Sequence, residues 1–259
     1  MSGTALPANQ PTIKLRRRSL DLILLTLALL ALWQAVGQWT QGIAISPPLE
    51  TLAYLGDLFR TPSFWDNVGA TASAFLLAFA ISAVIGLALG LILGLQRFAA
   101  EVAEPVLAGF YTIPKVTLYP VVLLIFGLGV SAKVAFGVMH GLVPITLITL
   151  GAIRTMPPVL LRSCRTMRLT TRQAMQTVLI PACLPDIVNG LRIGFSLSLL
   201  GVLIGEMFSS QRGLGFLLVN GLAQHNVKLT TSVVLVIVIG AIAANTIMLR
   251  LGRAVAGRS

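Results

Sequence analysis

Runs of apolar residues long enough to cross a bilayer alternate along this chain with short polar or charged stretches, several of them marked by proline. The runs at 20–38, 67–95, 105–128, 134–153, 187–208 and 232–249 each reach or come close to the roughly 20 residues that an α-helix needs to cross a hydrocarbon core, the second exceeding it. They predict an all-α membrane protein with six transmembrane helices. Around them lie a polar tail at 1–19, an external connection at 39–66 with a short amphipathic helix at 53–59, a loop at 154–186, and a second tail at 251–259. The basic flank Lys14, Arg16, Arg17 and Arg18 ahead of the first run is also a signal-peptide feature. No small-x-small cleavage site follows it cleanly and the run has spanning length, so a retained first helix is expected.

Details within the runs carry packing information. Gly86, Gly90 and Gly94 recur every four residues, which puts them on one helix face where a second backbone can approach closely; helix packing is their expected role. The third run holds Pro114 and Pro120, so a bend is expected there, with Lys115 between the two prolines. Lys115 should snorkel toward the inner headgroups or pair with Glu101 or Glu104. His140 and Pro144 sit in the middle of the fourth run. No carboxylate within that run could partner the histidine, so a neutral, hydrogen-bonded core role is expected for it. The fifth run carries Arg192 near its inner end and Glu206 near its outer end.

Composition and charge sharpen this picture. Only 10% of the 259 residues are charged, against about 25% in soluble domains. The net charge of +11 could suggest a nucleic-acid partner, yet no basic patch is interleaved with aromatic residues as such a surface requires. Membrane topology accounts for the charge instead. With both termini cytoplasmic, the N-terminal cluster, Arg97, Arg154, the loop residues Arg162, Arg165, Arg168 and Arg172, and the C-terminal arginines all lie inside, where they can meet anionic lipid. Only Arg60, Lys133, Arg212 and Lys228 are left outside, in line with the positive-inside bias. The two cysteines, Cys164 and Cys183, fall in the cytoplasmic loop without metal-ligand spacing and are expected to stay thiols.

The loop at 154–186 is more structured than a solvated connection requires. Pro157-Pro158 suits the first turn of a short helix, where a missing N–H costs nothing. Thr170-Thr171-Arg172-Gln173 reads as a capping box, the Thr170 hydroxyl and the Gln173 side chain satisfying each other's backbone donors. The helix that follows should stop near Ile180, because Pro181 can neither donate nor continue it. The run from Thr170 to Gln173, with Val178-Leu179-Ile180-Pro181, Leu184-Pro185 and Gly190-Leu191-Arg192-Ile193-Gly194, resembles the cytoplasmic EAA loop of ABC importer permeases. It most resembles the nitrate, sulfonate and taurine branch. Ile113-Pro114-Lys115, Phe126-Gly127-Leu128-Gly129 and Lys133 are similar to that family's third span and outer turn. The chain departs from the pattern where the family usually has Glu-Ala-Ala, here Arg162-Ser163-Cys164, and where the usual glycine six residues after the glutamate is Arg168.

The resemblance implies an ABC type I importer-like transmembrane domain over 67–250, with a cytoplasmic coupling helix that docks on an ATPase. It implies a homodimer of this chain in the bacterial inner membrane, two ATPase subunits carrying ATP and Mg, and an external or periplasmic solute-binding protein. No cofactor is then bound by this chain itself. Arg168, Leu169, Thr170, Thr171, Arg172, Gln173, Ala174, Thr177 and Pro181 are the implied ATPase-coupling residues. The implied solute is a small anion such as a sulfonate, taurine or nitrate, with heterocyclic vitamin precursors and aromatic carboxylates among the relatives. Candidate pathway residues are Lys115, Tyr119, His140, Arg192 and Ser196.

The sequence carries no catalytic signature of its own. It has no G-x-x-x-x-G-K-[ST] phosphate loop, no H-E-x-x-H, no paired Cys/His set and no Ser–His–Asp arrangement, so neither catalytic nor metal-binding residues are expected. The other reading is a self-sufficient channel or ion-coupled transporter. That class needs intramembrane carboxylates or paired repeats at the bilayer midplane, and the sequence offers neither. The structured cytoplasmic loop favours the importer.

Overall fold

The computed structural model describes residues 12–256, and all of the regular structure among them is helical. Most of the tail expected at 1–19, and the last three residues including Arg258, lie outside the described residues. In chain order the elements are α1 (Thr12–Trp39), α2 (Pro48–Leu58), α3 (Pro62–Leu95), α4 (Arg97–Thr112), a 3-10 turn (Lys115–Leu118), α5 (Tyr119–Phe126), α6 (Val130–Arg154), α7 (Pro158–Thr166), α8 (Thr171–Ala174), a π turn (Met175–Leu179), α9 (Ile180–Ser209), α10 (Leu214–Ala223) and α11 (Val227–Ala256). The short helix of the external connection is α2, longer at its N-terminal side than the expected 53–59.

Three helices, α3, α6 and α9, make the centre of the molecule, with α6 against both of the others. Small residues set how closely they approach. A Cβ added at Gly90 would lie 2.6 Å from Thr149 Cβ and 2.9 Å from the Thr146 carbonyl oxygen; one at Gly86 would lie 2.9 Å from Ile145, and one at Gly94 2.9 Å from Ile153. All three glycines of α3 thus face α6. Where α6 meets α9, Gly141 lies against Ser198 and the Gly194 backbone. An apolar cluster of Phe75, Ala78, Val134, Phe195 and Val202 seals the crossing, with the Phe195 ring edge-on to Phe75 at 4.7 Å.

Two stretches differ from the expectation. The third run is not one bent helix: α4 and the segment after it turn through 87°. The cause is local. Ile113 takes an extended conformation (φ −63°, ψ 131°) because the ring of Pro114 disfavours a helical residue before it. Pro105, expected to begin the span, lies inside α4. The second difference is at Pro181, where the helix does not stop: residues from Arg172 to Ser209 form one continuous 38-residue helical rod. Met175–Leu179 widen into a π turn immediately before the proline. A π turn shifts the carbonyl that the proline ring would otherwise strike, so the ring is absorbed rather than terminating the helix.

Among the described residues, four helical stretches are each long and apolar enough to cross a bilayer: α3, α6, the rod ending in α9, and α11. The broken pair around Pro114 makes a fifth if counted as one span, and α1 adds the apolar segment Ile23–Trp39.

Candidate functional site

The hairpin formed by the loop expected at 154–186 has a defined geometry. Helix α7 opens at Pro158 and ends at Thr166; the Leu169 N–H then donates back to the Cys164 carbonyl at 3.1 Å. This is the long bond of a Schellman cap, and the residue it places in the left-handed region is Arg168, with φ +50°. Glycine is favoured there because it has no Cβ to clash. The position where the resembled family carries glycine is therefore the position whose backbone calls for one. Arg168→Gly should stabilise the hairpin by about 1 kcal/mol. Slower hydrogen exchange at the amides of residues 164–169 would show it; unchanged exchange would mean that the arginine carries no strain.

Beyond the turn, the Thr170 N–H donates to Gln173 Oε1 at 2.9 Å and the Gln173 N–H donates to Thr170 Oγ1 at 3.3 Å. That is the reciprocal capping box. Thr171 opens α8, and the Thr177 hydroxyl bonds back to the Gln173 carbonyl at 2.7 Å. Met156, Leu179, Cys183 and Ile187 form a buried cluster beneath the hairpin, with Leu160 packed on it. The cluster pins the hairpin to the bundle. Arg168, Thr170, Arg172, Gln173 and Thr177 are left exposed, and Leu169, Ala174 and Pro181 half-buried.

The five pathway candidates do not converge on one cavity lining. Lys115 is buried, and it pairs with neither Glu101 nor Glu104, which bond Arg97 and Arg154 instead. Its ammonium donates to the Tyr111 carbonyl at 3.2 Å and lies 4.7 Å from the centre of the Tyr111 ring. It thus closes the frayed end of α4 at the break, where carbonyls lack helical partners. Tyr119 donates its hydroxyl to the Gly205 carbonyl at 2.8 Å, bonds Ser209 as well, and sets its ring edge-on to Phe136. His140 is buried against the Phe136 ring, with Nδ1 2.9 Å from the Phe136 carbonyl oxygen. Arg192 donates Nε–H to Asn245 Oδ1 at 3.0 Å and so ties α9 to α11. Ser196, one turn on, is exposed and bonds back to the Arg192 carbonyl.

The end of the bundle away from the hairpin holds a polar cluster that the sequence reading missed. Lys133, expected in the outer loop, is only 3% exposed and lies on the first turn of α6. The reason is the turn before it: Gly127 and Gly129 both take positive φ (+72° and +135°), which tightens the connection and starts α6 at Val130. Glu206 is wholly buried, 0% exposed. Lys133 Nζ lies 3.3 Å from Glu206 Oε1, and Glu206 Oε2 accepts the Thr71 hydroxyl at 2.8 Å and the Gly215 N–H at 3.1 Å. The partners are 73 and 135 residues from Glu206, so no local spacing announces the cluster. Beside it opens a cavity of about 940 Å³ lined by Lys133, Ser209, Ser210, Arg212, Phe216 and Asn220 among others.

The family described as binding-protein-dependent transport system inner membrane component matches residues 86–259. The taurine transport system permease protein TauC of Escherichia coli is 26% identical, over 77% of this chain and 76% of its own length. The riboflavin transport system permease protein RibX of Chloroflexus aurantiacus is 35% identical, over 77% and 75%. A solved chain of the MetNI methionine ABC transporter, in an inward-facing form, superposes with a TM-score of 0.65 at 23% identity, covering 73% of this chain and 94% of that one. At that identity the likeness speaks to the fold alone, an all-helical transmembrane domain of the importer type. With the family match spanning well over half its length, this chain belongs to the binding-protein-dependent ABC importer permeases, in the branch that includes taurine, sulfonate and nitrate permeases.

Proposed function

We propose that this chain, paired with a second copy of itself and two ATPase subunits, forms the translocation pathway for a small anion of the sulfonate, taurine or nitrate kind. A solute-binding protein delivers that anion from outside. In this family ATP hydrolysis lies in a separate subunit, so ATP and Mg belong to the partner. The chain sits in the bacterial inner membrane with both termini cytoplasmic and six spans, the first of them in α1. Closure of the ATPases moves the hairpin at residues 168–181, and the continuous rod from Arg172 to Ser209 carries that movement toward the outer end of the molecule. The observation that carries the reading is the capped hairpin. Its tip is exposed, its base is packed on α6 and α9, and it has no partner of its own to meet among the described residues. An anion is favoured because Arg212 lines the outer cavity, where the other cation, Lys133, is already paired with Glu206.

A tagged pull-down from detergent-solubilised membranes, followed by an ATPase assay on what co-purifies, tests the assembly. A stoichiometric ATP-binding subunit is expected; a stable oligomer that moves solute in liposomes without ATP would support an ion-coupled transporter instead. Ala174→Arg tests the docking face, since Ala174 is half-buried beside the exposed hairpin tip. ATP hydrolysis should lose its coupling to transport while the membrane domain stays folded. Coupled transport at the native rate would place the docking face elsewhere.

A further inference from the structure

We propose that Glu206 and Lys133 are positioning residues of the transport cycle: as a charged latch they hold the outer turn at 210–215 against the bundle, and their release opens the outer end beside the 940 Å³ cavity. The inference rests on the importer reading for its role in the cycle, and on geometry for the latch itself.

The bonds of the latch tie the turn to three helices, α3, α6 and α9. Gly213 N–H donates to Asn67 Oδ1 of α3 at 2.7 Å, and Leu214 N–H donates to the Thr71 hydroxyl of α3 at 2.8 Å. Gly215 N–H donates to Glu206 of α9 at 3.1 Å. Lys133 of α6 donates to Glu206 at 3.3 Å, to Ser210 Oγ at 3.4 Å and to the Arg212 carbonyl at 3.3 Å. The Glu206 carboxylate therefore sits at the first turn of α10, where the helix dipole and free N–H groups favour a negative charge. The chain makes room for it with glycine. A Cβ at Gly213 would collide with the carboxylate itself, and one at Gly215 with the Leu203 carbonyl and Glu206 Cβ.

Three features mark this as a switch rather than filler. Separating a buried ion pair leaves charges without compensation, so the pair is either closed or fully parted, and the ammonium of Lys133 reaches Glu206, Ser210 and the Arg212 carbonyl together. All three Lys133 contacts are at the long end of hydrogen-bonding distance, so no single one commits the turn. The element being held, α10, is a 10-residue apolar helix too short to cross the bilayer, poised on a glycine with φ +124°. The turn and Lys133 line the same cavity, so movement of one reshapes the other's surroundings.

The test places a cysteine at Leu214, which is buried under the turn, and measures its labelling from outside by a membrane-impermeant maleimide. The two natural cysteines are buried at the hairpin end of the chain. In membranes without nucleotide, labelling should be about ten-fold faster in the Lys133→Met/Glu206→Gln background, which removes both charges and keeps the volumes. Thr71→Val, which keeps the charges and removes the two bonds made by the Thr71 hydroxyl, should give an intermediate rise and serves if the double variant does not fold. In the native background, ATP and vanadate should accelerate labelling to a similar extent. Equal labelling in all backgrounds overturns the latch. Fast labelling of the double variant with no response to ATP and vanadate in the native background overturns its part in the cycle. Absence of any associated ATPase would count against the importer reading, while the nucleotide-free comparison would still decide the latch.

Discussion

Glu206→Ala is expected to lower the melting midpoint of the purified protein by about 10 °C, the largest loss we anticipate from any single truncation. Removing one partner of a buried ion pair leaves the other charge without compensation, at about 3–5 kcal/mol; in a protein of this size each kcal/mol is about 2–4 °C. Lys133, 3% exposed, would keep only Ser210 and the Arg212 carbonyl as acceptors. The Thr71 hydroxyl and the Gly215 N–H would lose theirs altogether. Glu206→Gln should lose less, because an amide oxygen can still accept from both. Thermal unfolding in detergent, followed by near-UV circular dichroism, separates the cases. A drop of only a degree or two for Glu206→Ala would mean that water reaches Lys133 from the adjoining cavity and that the pair is not desolvated.

The second large effect is expected at Gly90. Gly90→Leu should cost about 3 kcal/mol or more, because the nearest atoms include the Thr146 carbonyl oxygen and the Thr149 Cβ, which cannot swing aside as a side-chain tip can. Helices α3 and α6 would have to separate along their whole contact. Gly240→Leu on α11 is the matched control, since a Cβ there meets nothing within 4 Å. It should be neutral or slightly stabilising, as leucine is the better helix former. Equal midpoints for the two variants would show that the close approach of α3 to α6 does not limit stability.

Much of this site was legible in the sequence because its signals are local. The Thr170–Gln173 box needs two side chains three residues apart, and the structure forms both of its bonds. The four-residue spacing of Gly86, Gly90 and Gly94 needs only the period of a helix, and all three face α6. Pro114 broke its helix as the local rule for the preceding residue requires. Pro181 did not, because whether a proline ends a helix depends on whether the preceding turn can widen. That turn rests on a buried cluster drawn from α6, the hairpin and α9, so its geometry is settled by packing.

The sequence by itself determined what depends on composition and short-range spacing: an all-helical membrane chain, most of its basic residues outside the apolar runs, the capped hairpin and its family likeness. Each follows from residues within a few turns of one another, or from the cost of leaving polar groups in hydrocarbon. Only the tertiary structure decided which interior polar groups meet. Lys115 found a carbonyl at the end of the preceding helix, α4, rather than a carboxylate, and Arg192 found Asn245. Lys133 moved from an expected solvated loop to a buried pair with Glu206, because two glycines shortened the turn before it and brought α6 beside α9. A buried charge takes whichever partner the packing of helices delivers, and that delivery is a property of the whole bundle.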